Sequence, residues 1–122
     1  MKILVIDDSA VYRTQIIKFL REFLPEAEYI TAHDGAEGWN LYKKERPEAT
    51  LMDLLMPGLS GQEVLKLIKG MEAKAKAKII ILTADIQKYT RDEVEELGAT
   101  KVINKPISRE KAAQIADVIK GD

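Results

Sequence analysis

The chain has 122 residues, 46% of them hydrophobic and 32% charged, which suits one soluble domain and is too short for two. A formal net charge of −1 gives no electrostatic footing for nucleic acid or an anionic membrane. The absence of cysteine removes disulfides and thiolate metal sites, and the single histidine, His33, removes a histidine-cluster zinc site. No apolar run reaches the length of a membrane span, and Met1-Lys2 leads into a strand-like run without a signal-peptide pattern, so the cytoplasm is the expected setting.

Lys2–Asp7 reads as a strand buried on both faces: short, β-branched and apolar throughout. A first helix follows, N-capped by Ser9, with Tyr12, Ile16, Phe19, Leu20 and Phe23 at helical spacing and Pro25 as its stop. Glu28–Ala32 is a weaker strand. Asp34-Gly35-Ala36-Glu37 is a capping-box pattern opening a second helix that runs to about Arg46, before Pro47. Thr50–Asp53 is the third strand, and Pro57-Gly58 marks a turn. Ser60-Gly61-Gln62-Glu63 opens a third helix with Val64, Leu65, Ile68 and Met71 inward. Lys78–Leu82 is the fourth strand, and the Lys74, Lys76, Lys78 run before it reads as a solvated loop. A helix from about Ile86 to Leu97 ends at Gly98, a left-handed cap. Thr100–Asn104 is the fifth strand. Ser108 caps a last helix with Ala112, Ile115, Ala116 and Ile119 as its apolar stripe.

Strand and helix alternate five times, so the expected fold is α/β, a (βα)5 doubly wound parallel sheet in order 2-1-3-4-5, spanning 1–122 as a single domain. Ligands bind outside the carboxyl ends of such strands. Asp7 and Asp8 end the first strand, Asp53 the third, Thr83 the fourth, and Lys105 follows the fifth. That order makes Asp7, Asp8 and Asp53 neighbours. Three packed carboxylates repel one another, a divalent cation relieves the repulsion, and oxygen donors favour Mg²⁺. A carboxylate can also serve as the nucleophile toward a phosphoryl group, with Lys105 and the Thr83 hydroxyl answering the charge on its oxygens. Spacing alone does not say which aspartate is the nucleophile. Asp53 stands alone, whereas adjacent Asp7 and Asp8 look like a metal pair.

These pieces resemble a family. Val5-Ile6-Asp7-Asp8-Ser9, the run Met52-Asp53-Leu54-Leu55-Met56-Pro57-Gly58-Leu59-Ser60-Gly61, Leu82-Thr83-Ala84 and Asn104-Lys105-Pro106 together resemble the response-regulator receiver domain of two-component signalling, CheY-like, over essentially the whole chain. The resemblance implies that Asp53 is phosphorylated from a histidine kinase's phosphohistidine. It implies that Asp8 binds Mg²⁺, that Asp7 does so directly or through water, and that the Leu55 backbone carbonyl adds a ligand. Thr83 and the Ala84 N–H would bind the phosphoryl group, Lys105 would pair with it, and Lys105-Pro106 would be a cis peptide. The resemblance implies a signalling phosphoprotein, catalysing only its own phosphoryl transfer and dephosphorylation. Its output would be a changed face on the fourth helix, fifth strand and fifth helix. The chain would be a monomer or a phosphorylation-dependent dimer, without direct nucleic-acid binding or membrane insertion.

Three positions depart from the usual pattern. Val102 stands where many receivers carry a rotating aromatic, so the switch has no aromatic rotor there. Leu55 brings no polar side chain to the site, and Asp85 brings an acid. Trp39 and Tyr42 on the second helix read as core, Gly38 beside them as a close-packing point, and His33 as an exposed residue rather than a phosphodonor. An aspartate-nucleophile phosphatase would have its first two acids one residue apart and a cap domain. A flavodoxin would offer its phosphate a Ser-, Thr- or Gly-rich first loop. A phosphorylation-independent binding module would lack an acid or the lysine, and an N-terminal receiver cut from a longer regulator would continue past Asp122.

Overall fold

Ile3, Leu4, Val5 and Ile6 are consecutive and all essentially sealed from solvent, as a strand covered on both faces requires. In the computed structural model, which describes residues 1–71, 77–85 and 87–121, this strand is β1 (Lys2–Ile6), the second in the sheet. The further elements are α1 (Ala10–Arg21), β2 (Glu28–Ala32), α2 (Gly35–Glu45), β3 (Ala49–Met52), α3 (Gly61–Met71), β4 (Lys78–Thr83), α4 (Lys88–Glu96), β5 (Lys101–Asn104) and α5 (Arg109–Lys120). Five parallel strands lie in the order β2-β1-β3-β4-β5. The fold is the expected doubly wound α/β sheet.

The period-two geometry of strands sends alternate residues to opposite faces. Ile3, Val5, Leu51, Ile80, Leu82 and Ile103 join one apolar cluster with Ile16 and Leu20 of α1 and Ile115 and Ile119 of α5. Leu4, Ile6, Met52, Ile79 and Ile81 join the other with Tyr42 of α2, Val64, Leu65 and Ile68 of α3 and Val94 of α4. Each such aliphatic side chain contributes roughly 1.5–3 kcal/mol of burial. Gly38 lets α2 settle directly on β1, since a Cβ there would stand 2.5 Å from Ile6 Cδ1. Tyr42 is fully buried, while Trp39 is half-buried, stacked on it and covered by Lys43.

The helix starts follow their caps: Ser9, Asp34 and Ser108 each accept a backbone N–H of the first turn. Ser60 and Glu63 form the reciprocal capping box at α3. Gly98 takes φ +109 after α4, as a left-handed terminus requires. Several boundaries differ from the reading of the sequence. β1 and β3 end before Asp7 and Asp53. α1 ends at Arg21, because the chain turns ahead of Pro25, and Phe23 packs on the core from beyond the helix. α4 begins at Lys88, and Ile86 lies outside the described residues, as do Lys74 and Lys76. Lys78 is not solvated: its ammonium donates to the backbone carbonyls of Val118, Ile119 and Gly121, satisfying orphan acceptors at the end of α5.

Candidate functional site

Register places the site. Ile6 pairs with Ala32 on one side and Met52 on the other, so β1 and β3 end level, and the next residues, Asp7 and Asp53, stand side by side. Both remain tethered to the sheet: Asp7 N–H donates to Ala32 O at 3.1 Å and Asp53 N–H to Ile6 O at 3.2 Å. Thr83 pairs with Asn104 at the end of β4 and β5, and the Lys105 N–H donates to Thr83 O at 2.9 Å. Lys105 thus enters from the far side of the sheet.

Lys105 reaches between the two buried acids. Its Nζ donates to Asp53 Oδ2 at 2.8 Å and lies 2.9 Å from Asp7 Oδ2. Asp7 is 2% exposed and Asp53 7%, so neither charge has water enough to replace this partner. Burial disfavours the ammonium, but the hydrogen bonds it donates to Asp53 and Asp7, with their charges, outweigh it and hold Lys105 above the ordinary lysine pKa. The peptide before Pro106 is cis, as expected. Lys111 braces that turn from α5, donating to Asn104 O at 2.7 Å and Pro106 O at 3.1 Å.

Asp8 is exposed, yet one carboxylate oxygen from each of Asp7, Asp8 and Asp53 lies within 4.8 Å of the others. An all-oxygen set of this size, one member open to solvent, fits a hard cation such as Mg²⁺ that retains several waters. Asp53 Oδ1 also accepts the Leu55 N–H at 3.3 Å, which fixes the backbone after the acid, while the Leu55 side chain points to solvent. Gly61 lets the start of α3 press on this segment, where a Cβ would meet the Asp53 carbonyl at 2.7 Å.

Thr83 is fully buried, and its hydroxyl accepts the Asp85 N–H at 3.3 Å. Ala84 beside it is exposed. Asp85 is tied to α4 rather than to the acids: its carboxylate accepts the Gln87 N–H and the Thr90 hydroxyl, both at 3.2 Å. Val102 is half-buried against the cluster that includes Val94. His33 is exposed, as expected, and its ring contacts Asp34 and Glu37.

Sequence reasoning missed three participants. Arg13 donates from Nη1 to the Asp7 backbone carbonyl at 2.6 Å. Thr90 supplies the link from α4 to Asp85. Tyr12, assigned to the core by helical period, instead places its ring over Lys105 Nζ, 4.0 Å from the centroid. Arg13 and Tyr12 lie one turn after the paired acids, a position from which side chains of α1 can reach back over the strand end.

Comparison with known proteins agrees with this geometry. The model of the response regulator receiver domain matches residues 3–117. Protein CcdB of Bacillus subtilis (strain 168) is 37% identical over 123 residues, covering 98% of this chain and 98% of that protein. The transcriptional regulatory protein LiaR of the same organism is 38% identical over 121 residues, covering 98% of this chain but 54% of that protein. A chain in the crystal structure of the CheX-CheY-BeF3-Mg+2 complex from Borrelia burgdorferi is 25% identical, with a TM-score of 0.87 over 100% of this chain and 90% of that one. The matched stretch carries the paired acids, the lone acid and the lysine together, and the chain belongs to the family of response regulator receiver domains.

Proposed function

We propose that the chain, 1–122 as one receiver, accepts a phosphoryl group on Asp53 from the phosphohistidine of a histidine kinase. The observation that carries this reading is the placement of Lys105 Nζ against Asp53 Oδ2 and Asp7 Oδ2, with Asp8 in range of both acids. An Asp53 oxygen attacks phosphorus, the P–N bond to the kinase imidazole breaks, and the departing nitrogen takes the electron pair and then a proton. Asp7, Asp8 and Asp53, with the Leu55 carbonyl, would hold Mg²⁺, which supplies positive charge to the phosphoryl oxygens when bound. Lys105 answers a second oxygen. The Thr83 hydroxyl, once it leaves the Asp85 N–H, and the Ala84 N–H answer the third.

Intact-mass spectrometry after incubation with acetyl phosphate and Mg²⁺ tests this. One added phosphoryl group is expected, lost in Asp53→Asn and lost with EDTA. A label that survives in Asp53→Asn moves the nucleophile to another residue.

The same reading puts the chain in the cytoplasm as a signalling phosphoprotein, without catalysis beyond its own phosphorylation and dephosphorylation. Among the described residues no helix is long and apolar enough to cross a membrane. The output face is α4, β5 and α5, moved by Thr83 and repacking at Val102 rather than by an aromatic rotor. Amide exchange with and without beryllofluoride should change across α4 and β5 and stay flat in α2; the largest changes in α1 and α2 would reassign the output face.

A further inference from the structure

Lys105 has a third contact that the phosphoryl-transfer reading does not use. Its ammonium donates to two carboxylates, and on another side it faces the Tyr12 ring, 4.0 Å from the centroid. Its side chain is only 10% exposed. The ring belongs to neither apolar cluster, so core packing is not its evident reason for being there. It is anchored through Ser9: the Ser9 hydroxyl accepts the Tyr12 N–H at 3.2 Å, and the Ser9 N–H donates to Asp7 Oδ1 at 2.9 Å. One oxygen of Asp7 therefore holds the turn that carries the ring, and the other lies against the ammonium.

We propose that Tyr12 is a positioning residue for phosphoryl acceptance, its ring face holding the Lys105 ammonium beside Asp53 through a cation–π contact. The proposal rests on Asp53 being the acceptor. The lysine stem is long and flexible, and without a fixed partner its head samples many positions. Of its three contacts, the one to Asp53 is altered by the reaction itself, since an Asp53 oxygen becomes bonded to phosphorus. The contact to Asp7 is shared with any cation the acids hold. The ring contact alone is untouched by either event. An aromatic face also attracts a cation through its quadrupole without offering an oxygen that would compete for the proton or the metal.

The test uses the full chain with residue 12 as Tyr, Phe, Leu or a trifluorinated phenylalanine, which keeps the shape and drains the negative face. Acetyl phosphate with Mg²⁺ supplies the phosphoryl group, and urea unfolding confirms that each variant is folded. Tyr12→Phe is expected to stay within about twofold of the parent rate. Leu and the fluorinated ring are expected to slow it by about three- to thirty-fold, the range of a partly desolvated cation–π contact. A second readout needs no phosphorylation. The Lys105 ε-methylene protons should show an upfield ring-current shift in the parent and in Tyr12→Phe, and lose it in Tyr12→Leu.

Equal rates for Leu and Phe in labelled, folded protein overturn the proposal while leaving Asp53 as acceptor. A slow rate for Phe as well as Leu also overturns it, assigning the effect to the hydroxyl. If the parent takes no label, the acceptor reading falls and the proposal with it, and the ring-current shift then reports only where the lysine sits.

Discussion

The two halves of the sheet's carboxyl edge are held in different ways. Around β1 and β3, buried Asp7 and Asp53 share Lys105 through contacts of 2.8 and 2.9 Å, with Ser9 and Arg13 closing on Asp7 at 2.9 and 2.6 Å. Beyond β4, Thr83, Asp85, Gln87 and Thr90 are joined by bonds of 3.2 to 3.3 Å. The helix there, α4, buries only Thr90 and Val94, and its N-cap Gln87 makes no side-chain cap bond. Short charge-assisted bonds are the strong ones, and thinly buried elements open first. The half proposed to take the phosphoryl group is braced in advance, and the half proposed to answer it is loosely tied.

The largest expected effect comes from removing the brace. Lys105→Ala leaves two buried carboxylates facing each other, and a broken buried pair costs about 3–5 kcal/mol. Urea unfolding in metal-free buffer should show this loss. Added Mg²⁺ should then stabilise the variant more than the parent, because a cation bound to the native acids alone shifts the equilibrium and no longer competes with an ammonium. A loss under about 1 kcal/mol would mean that the acids are less dependent on Lys105 than their burial implies.

Next in size is Ile16→Ala on α1, where a side chain only 2% exposed packs in the α1–α5 cluster; about 3 kcal/mol of global stability is expected to go. Hydrogen exchange turns this into a test of looseness. If α4 opens on its own, its amides exchange through a local event that never exposes Ile16, and their rates should be unchanged. The β1 and β3 amides, which need global unfolding, should accelerate. Acceleration of α4 by the same factor would make the two halves one cooperative unit.

Thr50 lies on β3, the central strand of the sheet. Its hydroxyl is buried without a hydrogen-bond partner among the described residues. Thr50→Val keeps the shape and removes an unpaired polar atom, so a gain of about 1 kcal/mol is expected. The urea midpoint reports it, and the phosphorylation rate should not move. A loss would show that the hydroxyl has a partner after all.

What the sequence made legible follows the same division. Asp7, Asp8, Asp53 and Lys105 stand out because each follows or interrupts an apolar run, and parallel topology brings strand ends together whatever the helices do. Order 2-1-3-4-5 was expected as a common way for a doubly wound sheet to satisfy right-handed crossovers and two-sided burial of its strands. Side chains that act across elements were hidden. Tyr12 satisfies the helical period and so read as core, although the first turn of α1 overhangs the strand ends rather than the sheet face. Lys78 looked like one member of a lysine run, and only the packing of α5 beside β4 shows which carbonyls it serves. The start of α4 was blurred because Gln87 brings no capping side chain, and Thr90 carried no motif to mark it.

The smallest effect expected is the most informative about the responding half. Thr90 is 3% exposed, and its hydroxyl donates to Asp85 Oδ2 at 3.2 Å, so Asp85, whose N–H donates to the Thr83 hydroxyl, joins α4 to the end of β4. Thr90→Val preserves volume and deletes that donor. Asp85 is half-exposed and keeps the Gln87 N–H, so its carboxylate is not stranded, and the cost should be about 0.5–1 kcal/mol. The acids and Lys105 do not touch Thr90, so phosphorylation of Asp53 should proceed at the parent rate. Exchange across α4 should speed up by a few fold in the unmodified protein. The further change on adding beryllofluoride should shrink, because part of the release that Thr83 would trigger has already happened. If α4 exchange in Thr90→Val matches the parent with and without beryllofluoride, the Asp85–Thr90 bond does not transmit the change, and the coupling runs through the packing of Val94 and Val102 instead.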